Sequence, residues 1–324
     1  MISKGTKPKM ISVVIPAYKV SKHLGNLIPR IGPEVQNIFV VDDLCPEGSG
    51  KIAEELARKD HRITVIYHDR NLGVGGAVKS GYLKALSIES DVIVKLDGDG
   101  QMKPEDIPKL IGPILDGSAS YTKGNRFSDV EAIISMPKVR VLGNLALSFI
   151  SKLSTGYWMM FDPNNGFTAI NSETLRGIPL TKVDNRYFFE SDMLFRLNLL
   201  RANIVDVPLP AIYGNEVSNM SIVKVLFEFL YKHNRNFWKR ITYSYFLREF
   251  TLASIEFVLG TVLLSFGVIL AVFNYVNSQI QNSATPTGTL ILIALSLLSG
   301  LQFLLGFFSY DIQMSPNGKS RNQF

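Results

Sequence analysis

The segment VIVKLDGDGQM, Val92 to Met102, ends a short apolar run in two aspartates, Asp97 and Asp99, with glycine at 98 and 100 and Gln101 just beyond. Two carboxylates this close repel one another in water, and each disfavours ionisation of the other. If the strand ran on through both, the i, i+2 spacing would aim them at the same face. A divalent cation between them removes the repulsion. Two carboxylates with the neutral amide oxygen of Gln101 form a hard donor set suited to Mg²⁺ or Mn²⁺, ions that keep waters and share their sites with substrate phosphates. Gly98 and Gly100 let the backbone approach a bulky ligand. The plainer use of this segment is a polar turn leading into a helix after Pro104.

The elements needed to hold such a site are legible upstream. Apolar runs at ISVVIPAY, NIFVVDD, ITVIYH and DVIVKLDGDG alternate with helical patterns from Ser21, at GSGKIAEELARKD and at GVGGAVKSGYLKALSI. Continuous apolar strands separated by helices predict an α/β domain with a mainly parallel sheet covered on both faces. Ligands of such sheets bind outside the carboxyl ends of the strands. Each strand here ends in polar or constrained residues: Pro16-Ala17-Tyr18, Asp42-Asp43, His68-Asp69-Arg70-Asn71 and Asp97 to Gln101.

Three better-known motifs fail on spacing. CPEGSGKIAE has Cys45 where a phosphate-binding loop needs its first glycine, and Ile52 where it needs Ser or Thr. GVGGAVKSG has Val78 in place of the last small residue of a dinucleotide fingerprint. DGDGQMKPEDIP lacks the sixth-position Gly and twelfth-position Glu of a calcium loop. The single cysteine, Cys45, precludes an internal disulfide and reads as a packed thiol in a reducing compartment.

The chain has 324 residues, 46% of them apolar, and a net charge of +6. TLASIEFVLGTVLLSFGVILAVF (Thr251 to Phe273) and GTLILIALSLLSGLQFLLGFFSY (Gly288 to Tyr310) each supply the roughly 20 apolar residues that cross a bilayer. The linker between them is uncharged. Lys224, Lys232, Arg235, Lys239, Arg240 and Arg248 precede the first span, and Lys319 and Arg321 follow the second. This bias predicts a multi-pass inner-membrane protein with its N-terminal domain and both termini in the cytoplasm. Basic residues gathered beside the spans favour anionic lipid over nucleic acid as partner. Glu256, inside the first span, needs a partner or an interfacial position, and Arg248 is a candidate. MPKVRVLGNLALSFISKL and SIVKVLFEFLYKHNRNFWKRITYSYF read as helices lying at the membrane surface. The predicted divisions are a catalytic domain over 1–222, juxtamembrane helices over 223–249, two spans within 250–310 and a tail over 311–324.

Residues 11 to about 215 resemble a family 2 glycosyltransferase of GT-A fold, a Rossmann-like catalytic domain. Within that family the chain resembles the polyprenyl-phosphate glycosyltransferases, which include dolichyl-phosphate mannose synthase and bacterial undecaprenyl-phosphate glucosyltransferases. The resemblance is carried by VVIPAY, VVDD (Val40 to Asp43), NLGVGGAVKSGY (Asn71 to Tyr82), DGDGQ (Asp97 to Gln101), GNRF (Gly124 to Phe127), DPNNGFTAI (Asp162 to Ile170) and FFESDML (Phe188 to Leu194). It implies that Pro16, Ala17, Tyr18 and Asp42 line the nucleotide pocket, Asp42 reading the base, with Gly75 near base and ribose. Asp97 would lie near ribose and metal, with Asp99 and Gln101 holding Mg²⁺ or Mn²⁺ on the donor diphosphate. Arg126 would face a phosphate, and Asp162 and Glu190 would line the sugar end, as base or as orienting groups.

The partners implied are a UDP- or GDP-sugar, a polyprenyl phosphate and membrane lipid. Candidates for attracting the lipid phosphate are Lys138, Arg140 and Lys152, with Ser218, Ser221 and Lys224 further on. A homo-oligomer is a candidate assembly. The chain departs from relatives in the loop LCPEGSGK after Asp43 and in YGNEVSNMSIVK, where mannose synthases carry a basic motif. The Gln-x-x-Arg-Trp motif of processive synthases is missing, which favours single transfer. The competing expectations are a glycosyltransferase acting on a glycan hydroxyl, a nucleotidyltransferase, and a non-enzymatic scaffold descended from a transferase.

Overall fold

A computed structural model describes residues 8–126, 138–160, 162–163, 165–209 and 222–316. Its sheet has seven strands: β1 (Ile11–Ala17), β2 (Asn37–Asp42), β3 (Ile63–Tyr67), β4 (Val92–Lys95), β5 (Tyr121–Asn125), β6 (Thr168–Asn171) and β7 (Ile204–Pro208). They lie in the order β3-β2-β1-β4-β6-β5-β7. All pairings are parallel except those of β6, which runs against β4 and β5. The expected mainly parallel sheet is present, and a single reversed strand beside β4 joins its two parallel parts.

The first strands are buried on both faces. In β1, Val13, Ile15 and Ala17 enter one core with Leu24, Leu27, Leu110 and Ile111, whereas Val14 enters a second with Val78, Tyr82 and Phe189. This period-2 division is why the strands read as unbroken apolar runs. On one face lie α1 (Ser21–Leu27), α2 (Ser49–Ala57) and α4 (Ile107–Leu115). On the other lie α3 (Val74–Ser87) and α7 (Phe189–Leu199). Two further helices are α5 (Lys138–Thr155) and the short α6 (Ser172–Arg176).

Two local expectations are corrected. β4 stops at Lys95, so Asp97 and Asp99 belong to the turn beyond it and the same-face argument for a strand does not apply. Cys45 is not a simple packed thiol: half-buried, its sulfur accepts the Lys19 N–H at 3.1 Å and lies 3.1 Å from Ser49 Oγ at the start of α2.

Helix α8 (Ile222–Thr242) buries several polar residues and exposes several apolar ones. Beside Phe229 and Ile241, its inward face carries polar residues: Lys232 reaches Asp184 at 2.6 Å, Asn236 donates to Asp192 at 3.0 Å, and His233 Nδ1 lies 2.7 Å from Ser154 Oγ. Its outward residues Phe227 and Tyr231 are exposed. Helix α5 repeats the arrangement, with Ser151, Ser154 and Thr155 buried and Leu145 and Phe149 exposed. Lys152 on α5 is half-buried, and its burial lowers its pKa. Ser218, Ser221 and the side chains of Lys138, Arg140 and Lys224 lie outside the described residues.

One compact unit runs through Phe237, and a second extends from Trp238 to Ser315. The second contains a one-turn π-helix (Tyr243–Arg248) and two long helices, α9 (Leu252–Gln281) and α10 (Thr287–Gln313). Both are long and apolar enough to cross a membrane, and only 17% and 22% of their most apolar windows are buried. That exposure argues against core helices of a soluble fold. Helix α9 continues past the expected end at Phe273, absorbing much of the polar linker, because neither Asn274 nor Ser278 breaks a helix. Asn274 donates back to the Leu270 carbonyl at 2.9 Å, and the helix ends only at Asn282, in the left-handed region with φ 49°.

Small residues bring the two helices together. A Cβ on Gly300 would lie 2.6 Å from the Leu264 backbone nitrogen, and one on Gly260 would lie 2.8 Å from Leu304. Close backbone approach through glycine is how helices associate where no hydrophobic drive operates. Glu256 lies against Gly306, where a Cβ would be 3.1 Å from its carboxylate.

A buried ion pair absent from the sequence reading ties this unit together. Arg240 grips Asp311 through two nitrogens, at 2.6 and 2.9 Å, and the Tyr245 hydroxyl donates to the same carboxylate at 2.7 Å. Breaking one side leaves a buried charge, a cost of about 3–5 kcal/mol. Arg240→Met should therefore lower the thermal midpoint in detergent markedly, whereas Arg240→Met combined with Asp311→Leu should recover much of the loss. Equal destabilisation by the single and double variants would contradict this.

Candidate functional site

A cavity of about 440 Å³ opens at the carboxyl ends of the parallel strands. Its wall takes Pro16, Ala17 and Tyr18 from the end of β1, Asp43 after β2, Asn71 after β3, and Asp97, Gly98 and Asp99 after β4. Gly73, Val74 and Ala77 at the start of α3, and Arg186 and Tyr187 before α7, complete much of the rest. The volume is that of a small-molecule site.

Of the residues named from sequence, Pro16, Ala17, Tyr18, Asp97 and Asp99 share this wall. Asp42 does not. Its carboxylate is 4% exposed and accepts the N–H groups of Cys45 at 2.7 Å and Gly50 at 2.6 Å, which secures the entry to α2. The next residue, Asp43, faces the cavity and organises its rim. It accepts from the Leu72 and Gly73 backbones at 2.8 and 2.7 Å, and it lies 2.7 Å from Nδ1 of His68, whose Nε2 is 2.8 Å from Ser80.

Gly75 is buried beneath the segment before α7. A Cβ there would lie 2.5 Å from the Asp184 carbonyl oxygen, so its contribution is to let that segment settle on α3. Gln101 lines a separate, smaller cavity with Arg126, while its backbone N–H donates to Asp99 at 3.0 Å.

Behind Asp97 lies a charged core. Lys95, the last residue of β4, is 1% exposed; its ammonium is 2.6 Å from Asp97 Oδ1 and 2.9 Å from Glu190 Oε1, and it donates to the Gly166 carbonyl at 3.3 Å. Burial opposes the ammonium, but Asp97 and Glu190 outweigh it and hold Lys95 above the usual lysine range. Glu190 sits in the first turn of α7, where the helix dipole also favours a carboxylate.

The packing around this clamp leaves no space at Gly166: a Cβ would lie 2.0 Å from Asp97 Oδ2 and 2.5 Å from Lys95 Nζ. That explains the glycine in DPNNGFTAI. A second buried lysine, Lys123 on β5, donates to the neighbouring carbonyl of Asn165. Burial pulls its pKa down to about 8, against the attraction of Asp162 and Glu190.

Asp162, 2% exposed, is held from two sides by Arg126, with Nε to Oδ2 at 2.7 Å and Nη2 to Oδ1 at 3.0 Å. Both oxygens of this carboxylate are thus engaged by one guanidinium in a bidentate pair.

The wall fits a hard divalent cation. Asp97 and Asp99 line one cavity; among the described residues no cluster of three His, Cys, Asp or Glu side chains assembles, so protein carboxylates alone do not complete a shell here. Two carboxylates, with a phosphorylated ligand and water completing the shell, is the arrangement Mg²⁺ and Mn²⁺ accept.

Sequence reasoning missed Asp43, Lys95, Lys123, Arg186 and Tyr187. The signals were available: a lysine inside each of two otherwise buried strands, and DNRY directly before the quoted FFESDML.

Comparison with known proteins agrees with this geometry. The model for glycosyl transferase family 2 matches residues 12–175. The chain is 33% identical over 218 residues to UDP-N-acetylglucosamine–dolichyl-phosphate N-acetylglucosaminyltransferase of Methanococcus voltae, covering 63% of this chain and 86% of that protein. It is 30% identical over 202 residues to undecaprenyl-phosphate mannosyltransferase of Micrococcus luteus, covering 61% of this chain and 82% of that protein. The solved structure of glucosyl-3-phosphoglycerate synthase from Mycobacterium tuberculosis, with Mn²⁺, UDP and glucosyl-3-phosphoglycerate, aligns with a TM-score of 0.53 at 18% identity, over 74% of this chain and 86% of that one. That likeness is one of fold.

The Lys95 clamp generates a direct test. Lys95→Met keeps the volume but leaves Asp97 and Glu190 facing each other across a buried gap. It should weaken Mn²⁺ binding, read by electron paramagnetic resonance, by at least about tenfold, because Asp97 loses the partner that orients it. Unchanged Mn²⁺ affinity would show that the clamp does not set the position of Asp97.

Proposed function

The chain belongs to glycosyl transferase family 2 and has the GT-A fold, and on that premise we propose that it transfers one sugar from a nucleoside-diphosphate sugar to a polyprenyl phosphate at the cytoplasmic face of a membrane. The observation that carries the reaction is the cavity at the strand ends with Asp97 and Asp99 on its wall. The acceptor class is supported by the two relatives, both named for transfer to a polyprenyl phosphate. Their donor sugars differ, so the donor here is a matter for experiment.

The membrane is supported by α9 and α10, by the basic residues before α9, and by the apolar outward faces of α5 and α8. Exposed Leu145, Phe149, Phe227 and Tyr231 over polar inward faces suit the boundary between headgroups and acyl chains. The uncharged loop between α9 and α10 faces away from the cytoplasm on this reading. The proposed divisions remain a catalytic domain to residue 222, a juxtamembrane segment to 249, two spans to 310 and a cytoplasmic tail.

The chemistry asks more of the leaving group than of the nucleophile. Mg²⁺ or Mn²⁺, when bound, neutralises charge on the departing nucleoside diphosphate. Lys95 holds Asp97 in position from behind, and Gly98 and Gly100 let the turn pack closely on Val20 and His23. A phosphate monoester, with its second pKa near 6, is largely a dianion at pH 7. It attacks the sugar C1 without surrendering a proton, and in-line displacement inverts that centre. Asp162, with both oxygens committed to Arg126, then needs no role as base; the pair orients the sugar end or the acceptor.

Purified protein in detergent, undecaprenyl phosphate, Mn²⁺ and a panel of UDP- and GDP-sugars test the proposal. Glycolipid should form from one donor, only with metal, and Asp99→Ala should lower the rate by at least about a hundredfold. Asp162→Asn should impair transfer without abolishing it. No turnover of any donor until a glycan hydroxyl is supplied, together with abolition by Asp162→Asn, would replace this reading with hydroxyl glycosylation.

A further inference from the structure

The cavity wall bears three carboxylates, Asp43, Asp97 and Asp99, and one guanidinium, Arg186. Asp43 is engaged by backbone N–H groups and His68, and Asp97 by Lys95. Arg186 is exposed, and among the described residues no carboxylate or carbonyl holds its guanidinium.

The backbone of Arg186 is fixed from three helices. From α3, Lys79 donates to the Val183 carbonyl at 2.9 Å and also reaches the Asn185 side chain, while the Gly76 N–H donates to the Asn185 carbonyl at 2.9 Å. From α7, Asp192 accepts the Asp184 N–H at 3.0 Å; from α8, Lys232 pairs with Asp184 at 2.6 Å. Asp184 in turn accepts the Arg186 N–H at 2.8 Å. Gly73, with φ 86°, completes the fit, since a Cβ there would lie 2.7 Å from the Asn185 carbonyl oxygen and 3.0 Å from Arg186 Cγ. The Arg186 side chain thus leaves a fixed backbone position on the cavity wall.

Charge supplies the ligand. Resting on the function proposed above, the cavity must hold a diphosphate carrying about two negative charges, with a third developing as the sugar bond breaks. One divalent cation neutralises Asp97 and Asp99 and leaves the diphosphate uncompensated. A guanidinium on the same wall offers paired donors in the geometry phosphate oxygens accept. We propose that Arg186 binds the donor diphosphate directly, on oxygens the metal does not cover, and so strengthens its hold as the leaving group gains charge.

The test compares wild type, Arg186→Gln and Arg186→Lys by calorimetric titration of UDP and GDP with Mn²⁺, and by competition with uridine and guanosine. Because Arg186 is exposed, both variants should keep the wild-type thermal midpoint. Arg186→Gln should weaken binding of the recognised diphosphate about 10- to 100-fold and lower kcat/KM at least as much, leaving nucleoside competition unchanged. Arg186→Lys should fall between. Wild-type diphosphate affinity in Arg186→Gln, or equal losses for nucleoside and diphosphate, would overturn the inference alone. Failure of the wild type to bind either diphosphate would overturn the functional reading, and the inference with it.

Discussion

A fully buried ammonium between two carboxylates governs this structure. Lys95 ends β4, Asp97 begins the turn that follows, and Glu190 opens α7, nearly a hundred residues on. Burying charge is tolerable only when partners and hydrogen bonds are complete, so strand, turn and helix are tied to one relative position. The backbone is drawn in as well. Lys95 and Lys123 both stand opposite Thr168 in the register of β6, and their ammoniums meet the adjacent carbonyls of Gly166 and Asn165. The loop entering the reversed strand is thereby fixed beside the turn that carries Asp99. The seam at which the sheet changes from parallel to antiparallel pairing is also where its charge is concentrated.

The same economy appears in how carboxylates are used. Asp42, Asp43, Asp162 and Asp192 all hold backbone or cations in place. Asp97 and Asp99 lie on the cavity wall. On the proposed reading, such a site serves to hold and discharge a phosphorylated leaving group. The helices tell a parallel story. Polar residues on α5 and α8 face inward and apolar residues outward, and α9 and α10 touch through glycines while their apolar surfaces stay exposed. Each pattern is unfavourable in water and natural beside lipid.

Much of this was legible in the sequence, because strand burial and helix periodicity leave direct traces. The order of elements through β4, the mainly parallel sheet type and the carboxylates just beyond β4 followed from patterning alone, and family motifs identified the glycosyltransferase. What escaped was set by tertiary contacts. Asp42 and Asp43 are adjacent and alike, and only the fold reveals that the first caps α2 while the second faces the cavity. Lys95 looks like an intruder in an apolar strand until Glu190 arrives from the far end of the domain. Arg240 and Asp311 sit 71 residues apart, and neither is marked as a partner by its surroundings. The extension of α9 past Phe273 was hidden because Asn and Ser read as linker, although Asn274 bonds back within the helix and Ser278 donates to the Ser283 carbonyl just past its end.

The central claim is that the new bond is made to a phosphate oxygen. Phosphorus NMR of the lipid recovered after a complete reaction reads that bond directly. The account predicts that the monoester resonance of the polyprenyl phosphate is replaced by a sugar phosphodiester resonance, in step with release of nucleoside diphosphate. A monoester resonance that persists while nucleoside diphosphate is released and a glycoside appears elsewhere would contradict it.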